Sequence, residues 1–339
     1  MGAGRGGLFR ESAPAGTEAV MEELDAVLAG RGWAVQERYD SAPEPAQPVR
    51  LRRNACYVVL ALLFNDQNEV LMMQEAKAEC HGMWYLPAGR MEPNETIVEA
   101  MRREVKEETG LECDPLTLLA VEERGPAWIR FVFLAEPTGG SLKTLQEADA
   151  ESLQARWWDR ESPTLPLRAP DILPLLDLAA RYRTRPSHPP TLPAEMPCTR
   201  ICQRLLAAFT NSTGDLWVLM STAGALHLPV MACGTTPTEM RRGLQASAAR
   251  LLCECILLGP VTVTAQGVLG LQHLGKEAGK ADGVCFNVLL TVGHGDQSTQ
   301  DTPPELRDQN FQWWRVKEGP LRSKILQRLS SVAVVALCS

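Results

Sequence analysis

Three carboxylates define the chemistry this 339-residue chain can offer: Glu104, Glu107 and Glu108, with Arg103 and Glu95 before them and a loop glycine, Gly89, upstream. At about 100° per residue in a helix, Glu104 and Glu108 fall one turn apart, at the edge of an apolar side made by Ile97, Val98, Met101 and Val105. Glu107 falls on the adjacent flank, and Glu99, Arg102 and Lys106 point to solvent. Carboxylates crowded on the inward edge of one turn repel each other and lose hydration. A hard divalent cation with oxygen ligands resolves that conflict, and Mg2+ commonly joins carboxylates to a substrate phosphate. The competing reading is a solvated helix laced with salt bridges to Arg102, Arg103 and Lys106.

The surrounding residues supply elements to hold that helix. Pro87, Gly89, Pro93 and Asn94 make a loop, Asn94 or Thr96 can cap a helix over Ile97–Thr109, and Gly110 stands where a C-cap glycine belongs. Tyr57–Phe64 reads as a buried strand, Asn65–Glu69 as a turn and Val70–Met73 as the returning strand. Leu116–Glu122 and Ile129–Ala135 form a hairpin-like pair, and Arg156–Trp158 is expected to continue the same sheet. Trp84, Tyr85, Trp128 and Phe131 offer aromatic faces on which a base could stack, against the plainer reading that they are core. Asp149 and Glu151 lie in an acidic loop before Trp157.

Gly89 to Leu111 fits the pattern G-x5-E-x7-R-E-U-x-E-E-x-G-U, U being aliphatic. Seven fixed positions would match by chance about once in 10^8 windows at average residue usage. The stretch resembles the box of Nudix hydrolases, which cleave a nucleoside diphosphate linked to another moiety. That resemblance implies an α+β fold, a mixed β-sheet between helices with the box as loop–helix–loop. It implies metal ligation by Glu104, Glu107, Glu108 and the Gly89 carbonyl, and catalytic roles for Glu104, Glu107 and the orienting Arg103. Mg2+ is the expected cofactor, with Mn2+ as a substitute. Trp84, Tyr85 and Glu151 are the expected substrate contacts. Ala88 stands where many members have Gly, a small departure.

Further segments, Val121–Pro126, Phe131–Ala135, Pro137–Gly140, Glu147–Ala155 and Leu269–Gly275, are similar to a vertebrate branch of the family. It acts on oxidised purine nucleoside diphosphates such as 8-oxo-dGDP and 8-oxo-GDP, which implies cleaning of the nucleotide pool. Another nucleoside diphosphate derivative, such as ADP-ribose, stays open as substrate, as does a non-catalytic sensor or scaffold.

With 45% hydrophobic residues the chain is long enough for two domains. The expected organisation is a flexible extension over 1–48 with a short helix within 17–30, a catalytic domain over 49–185, a proline-rich linker over 186–197, and a second unit over 198–339. That second unit echoes the first in degraded form. Leu216–Met220 echoes Val70–Met73, His227-Leu228-Pro229 echoes Tyr85-Leu86-Pro87, a helical stretch Glu239–Leu258 takes the place of the box helix, and Phe311–Arg315 echoes Ala155–Asp159. Arg250-Leu251-Leu252-Cys253-Glu254-Cys255 then replaces Arg103–Glu108, leaving one carboxylate where a multi-ligand Mg2+ site needs several. A degenerate Nudix-like domain is the expectation; an unrelated α+β domain is the alternative.

A net charge of −7 argues against a nucleic-acid polymer as partner while leaving a nucleotide compatible. No stretch is long and apolar enough to span a membrane. Ten cysteines without a C-x-x-C pair read as reduced thiols of a cytoplasmic protein, and a Cys198/Cys202 metal site lacks ligand spacing. Self-association through the second unit is left open.

Overall fold

In the computed structural model one order of strands and helices occurs twice along the chain. The structure describes residues 17–36, 38–43, 47–124, 127–161, 164–234, 237–257, 261–277, 279–295, 301–317, 319–331 and 334–338. Residues 1–16 of the expected extension, Gly125, Pro126 and Leu258 lie outside the described residues.

A helix α1 (Thr17–Leu28) precedes the first unit. That unit runs β1 (Cys56–Leu63), β2 (Val70–Glu75), β3 (Trp84–Tyr85), β4 (Ala88–Arg90), α2 (Ile97–Thr109), β5 (Leu111–Glu123), β6 (Trp128–Gly140), β7 (Ser152–Trp158) and α3 (Leu173–Thr184). The second runs β8 (Ile201–Thr210), β9 (Leu216–Ser221), β10 (Val230–Ala232), α4 (Pro237–Cys255), β11 (Val261–Gln272), β12 (Val284–His294), β13 (Phe311–Arg315), α5 (Pro320–Ser331) and a terminal β14 (Ala336–Cys338).

The pairing rules match unit for unit. β1 lies parallel to β6 and antiparallel to β4; β8 lies parallel to β12 and antiparallel to β10. β5–β6 and β11–β12 are antiparallel, as are β2–β7 and β9–β13. Even a loop contact repeats: Ala61 N–H donates to the Pro87 carbonyl, and Leu205 N–H donates to that of Pro229, at 3.0 and 2.9 Å. The second unit is thus a Nudix-like domain, as its echoes suggested.

One difference in strand pairing corrects the sequence reading. β2 does not return along β1: the two meet only at the Phe64–Val70 bridge, and β2 joins β3 and β7 in a separate three-stranded sheet. Arg156–Trp158 therefore continues that small sheet, not the one that carries β1. In the second unit β8 and β9 do pair, at Ala208–Val218, so a single sheet results.

Alternation along β1 sends Leu60 and Leu62 towards α3, while Tyr57, Val59, Ala61 and Leu63 enter the core that holds α2. The equivalent face of the second sheet, with Leu205 and Ala207, joins the same core. Val59 lies opposite Phe131, and its counterpart Gln203 lies opposite Phe286. These two corresponding phenylalanines stack on each other at 6.4 Å between ring centroids. Like face meets like face, the signature of an isologous contact, here within one chain.

The tails cross over in the same reciprocal way. After α5, β14 pairs in parallel with β5 of the first unit. After α3, Ala194 of the linker forms a parallel bridge with Gln272 of β11. Each unit's tail therefore covers the other's exposed sheet edge.

Over Thr17–Leu28 the flexible extension expected before residue 49 is corrected. α1 buries Val20, Leu24, Val27 and Leu28 against Leu206, Ala208 and Leu289 of the second sheet. Glu23 on α1 pairs at 3.0 Å with the fully buried Arg204. An amphipathic helix with a complementary apolar face nearby docks rather than remaining solvated.

Candidate active site

The α2 helix that carries the three glutamates is fixed at both ends. Thr96 Oγ1 accepts the Glu99 N–H at 3.1 Å, and the Glu99 carboxylate accepts the Thr96 N–H at 2.8 Å, so Thr96 rather than Asn94 is the cap. Gly110, at φ 79°, donates to the Lys106 carbonyl and ends the helix. Ile97, Ala100, Met101 and Val105 are buried, with Ala100 taking the inward place expected for the half-buried Val98. Glu104 and Glu108 are buried on the edge of that face, and Glu107 is exposed.

Arg103 organises the acids. Its Nε and Nη2 donate to the Glu95 carboxylate at 2.9 and 2.7 Å, its Nη1 donates to Glu104 at 2.8 Å and Glu107 at 3.1 Å, and its Nη2 reaches the Arg90 carbonyl at 3.2 Å. Glu108 accepts the Ala88 N–H at 2.8 Å, a backbone donor that Ala supplies as well as Gly. Gly89 lies in β4 rather than in the expected loop, and a Cβ there would lie 2.1 Å from the Glu104 carboxylate, so any side chain at 89 would displace that carboxylate.

Electrostatics mark this edge as unsettled. Burial lifts the Glu104 carboxyl above the ordinary carboxylate range against the pull of Arg103, and the charges of Glu107 and Glu151 lift it further. Burial lifts Glu108 much further, opposed by the Ala88 N–H and reinforced by Glu104. Among the described residues no three His, Cys, Asp or Glu side chains already converge as a metal site. Arg103 holds Glu104 and Glu107 aside, and Glu108 faces Ala88. The donor set nonetheless fits a hard cation: buried, mutually repelling oxygen ligands beside a glycine cradle.

Ala88, Gly89, Arg103, Glu104 and Glu107 line a cleft of about 1300 Å³ together with Asp149 and Glu151 from the loop before β7, while Glu108 is buried behind them. Tyr85 and Trp128 also line it, as do Lys77, Arg52, Arg130 and Arg168. Trp84 does not: it packs with Leu165 and Ile172 in the core beneath α3. Phe131 is spent on the contact between units. Glu151 sits 3.9 Å from Lys77, and Asp149 pairs with Lys143 at 2.7 Å. Sequence reading missed the arginines. Arg130, buried on β6, pairs with Glu122, donates to Tyr85 Oη at 2.9 Å and to Asp171 at 3.0 Å, while Arg168 stacks over the Tyr85 ring at 4.8 Å. The one available signal was a charged residue interrupting an apolar strand run.

A family model described as NUDIX domain matches residues 56–178. A human protein named 8-oxo-dGDP phosphatase NUDT18 is 57% identical over 321 residues, covering 94% of this chain and 98% of that one. The chain belongs to the Nudix family. Mouse and zebrafish proteins of the same name are 54% and 46% identical, covering 95% and 93% of this chain and 99% and 96% of theirs. The chain is thus a Nudix hydrolase, and Nudix hydrolases generally require a divalent metal.

In the second Nudix unit the site is a remnant. Register makes Met231 the counterpart of Gly89 and Ala232 that of Arg90. Arg250 still donates to the Ala232 carbonyl, at 2.6 Å, as Arg103 does to Arg90, and still lies 4.0 Å from Glu254 as Arg103 lies near Glu107. Where Glu104 and Glu108 would stand are Leu251 and Cys255, both fully buried.

Proposed function

We propose that the first unit hydrolyses oxidised purine nucleoside diphosphates, such as 8-oxo-dGDP and 8-oxo-GDP, to monophosphates and so cleans the nucleotide pool. The observation that carries this reading is likeness over nearly the whole chain to three vertebrate proteins named for 8-oxo-dGDP hydrolysis. The complete box opening onto a nucleotide-sized cleft supports it.

Mg2+ is the proposed cation, with Mn2+ as a substitute, and Glu104, Glu107, Glu108 and the Gly89 carbonyl would hold it. When bound, such an ion lowers the pKa of water and screens phosphate charge. Arg103 keeps Glu104 and Glu107 aligned. A carboxylate of the cleft, Glu104 or Glu107 on the helix or Glu151 on the loop, takes the proton of a water that attacks one phosphorus in line. The bridging P–O bond breaks, releasing the nucleoside monophosphate and inorganic phosphate. Tyr85 and Trp128 offer the base aromatic faces, and Arg52 and Arg168 add positive charge at the cleft wall. All ten cysteines are free thiols, which supports a reducing compartment such as the cytoplasm. Because equivalent faces already pair inside one chain, self-association through the second unit would use another surface, which light scattering tests.

The test is phosphate release with Mg2+ from 8-oxo-dGDP, dGDP, 8-oxo-dGTP and ADP-ribose, with Glu108→Gln as control. Selective cleavage of the oxidised diphosphate is the expected result. Cleavage of ADP-ribose alone would keep the Nudix chemistry and overturn the substrate, and silence throughout would favour a sensor.

A further inference from the structure

The degenerate unit touches the catalytic one at the start of the box helix. The turn after β11 brings Gly275 against Glu95 so closely that a Cβ on Gly275 would lie 2.1 Å from the Glu95 carbonyl oxygen; φ there is 70°. Lys276 pairs with Oε2 of Glu99, the same oxygen that closes the capping box on Thr96. Further along the turn, the buried Asp282 accepts the N–H of Leu51, next to Arg52 at the cleft wall, and that of Gly279, both at 2.9 Å.

The reverse contact has the same place in the pseudo-symmetric frame. Glu123, at the end of β5, accepts the Leu244 N–H at 2.9 Å and fills the space beside Gly243, where α4 is broken. Leu244 precedes Arg250 by as many residues as Ile97 precedes Arg103, so Glu123 caps the helix that corresponds to the box helix. Each unit therefore braces the first turn of the other's helix. Only in one direction does the braced helix carry chemistry.

We infer that Gly275, Lys276 and Asp282, in the turn after β11 of the second unit, form a positioning element for the catalytic site, acting through Glu95 and Glu99 on Arg103 and the box glutamates. Glu95 is the link, because its backbone rests on Gly275 while its carboxylate holds both nitrogens of Arg103 that face it. A shift of Glu95 moves Arg103, and with it Glu104 and Glu107. The inference rests on the reading of the box as a metal-dependent site.

The experiment uses the full chain with Gly275→Ala, Lys276→Glu and Lys276→Arg. Mn2+ binding to substrate-free protein is read from the electron paramagnetic resonance of free Mn2+, and kcat, KM and thermal midpoint are measured beside it with 8-oxo-dGDP. Gly275→Ala is expected to weaken Mn2+ binding about tenfold, as loss of support behind a metal ligand does, and to lower kcat about 10- to 100-fold. Its KM should stay within about twofold, the pattern of misaligned chemistry rather than lost binding. Lys276→Glu should weaken Mn2+ binding about threefold, and Lys276→Arg should restore it. If Gly275→Ala does not fold, the Lys276 pair decides. Folded variants with wild-type Mn2+ affinity and kcat, or a lowered midpoint with both unchanged, would overturn the proposal. A wild-type chain inert towards 8-oxo-dGDP would overturn the substrate reading alone, since Mn2+ binding still judges the turn.

Discussion

Beside β4 the first unit places no further strand among the described residues, and Glu108 and Arg103 bond the outer edge of β4 at the cleft, whereas beside β10 the second unit receives residues 38–43 of the N-terminal segment. There Asp40 N–H donates to the Val230 carbonyl, Ala232 N–H donates to that of Ser41, and Ser41 bridges Met231 in parallel. Asp40 also accepts hydrogen bonds from Ser221 Oγ at 2.5 Å and the Val230 N–H at 2.8 Å, and lies 3.1 Å from His227 Nε2. One unit keeps space and carboxylates; the other fills the space with its own chain and replaces the carboxylates with Leu251 and Cys255. The core order β5-β6-β1-β4, repeated as β11-β12-β8-β10, survives both choices. Box glutamates are therefore not what the fold requires, and burying them works against stability.

The sharpest way to break this contrast is to neutralise the acids that distinguish the units. Glu104→Gln or Glu108→Gln should lower turnover by about 10^2- to 10^3-fold or more, measured as phosphate release. The thermal midpoint of metal-free protein should hold or rise, because a buried charge is removed; a large fall would mean that these carboxylates support the fold. The reciprocal graft, Leu251→Glu with Cys255→Glu in a Glu108→Gln background, should restore no phosphate release. It should destabilise the chain by about 3–5 kcal/mol in denaturant titration, since unpaired charges enter a filled core.

Gly89→Ala asks whether the glycine cradle matters where Met231 is tolerated in the second unit. The Cβ clash with Glu104 should lower kcat about 10- to 100-fold. Asp40→Ala tests whether the strap fills the second cleft; losing its hydrogen bonds should cost about 1–3 kcal/mol and leave Mn2+ binding at the box unchanged. The smallest effect concerns pH. The Asp40 hydrogen bond raises the His227 pKa above its ordinary value, against burial. A raised folded pKa gives stability that is fully present below the unfolded value, near pH 6.5, and is lost as pH rises through the folded pKa. The stability gap between wild type and His227→Gln should accordingly be widest in mild acid and narrow towards alkaline pH.

Local rules made the box legible. Thr96, Gly110 and the 3.6-residue period act over a few residues, so Ile97–Thr109 could be bounded without knowing what it packs on, and Glu104, Glu107 and Glu108 could be placed on it. The split of β2 and β7 into their own sheet was not legible, because apolar strand runs do not name their partners. Nor was the role of Trp84 against Tyr85, neighbours of similar character, of which Tyr85 lines the cleft. Arg130 was missed because its partners Glu122, Tyr85 and Asp171 come from three separate stretches of chain.

What the sequence determined by itself was the chemistry and the repeat: an acid trio at one helical edge, a glycine before it, and a second copy without the acids. Tertiary structure decided what the copies do to each other. The stacking of Phe131 on Phe286, the crossed tails, the strap in the second cleft and the Gly275 turn against Glu95 all join residues far apart in the chain. Such contacts arise from complementary surfaces brought together by folding, and no local propensity or spacing encodes them.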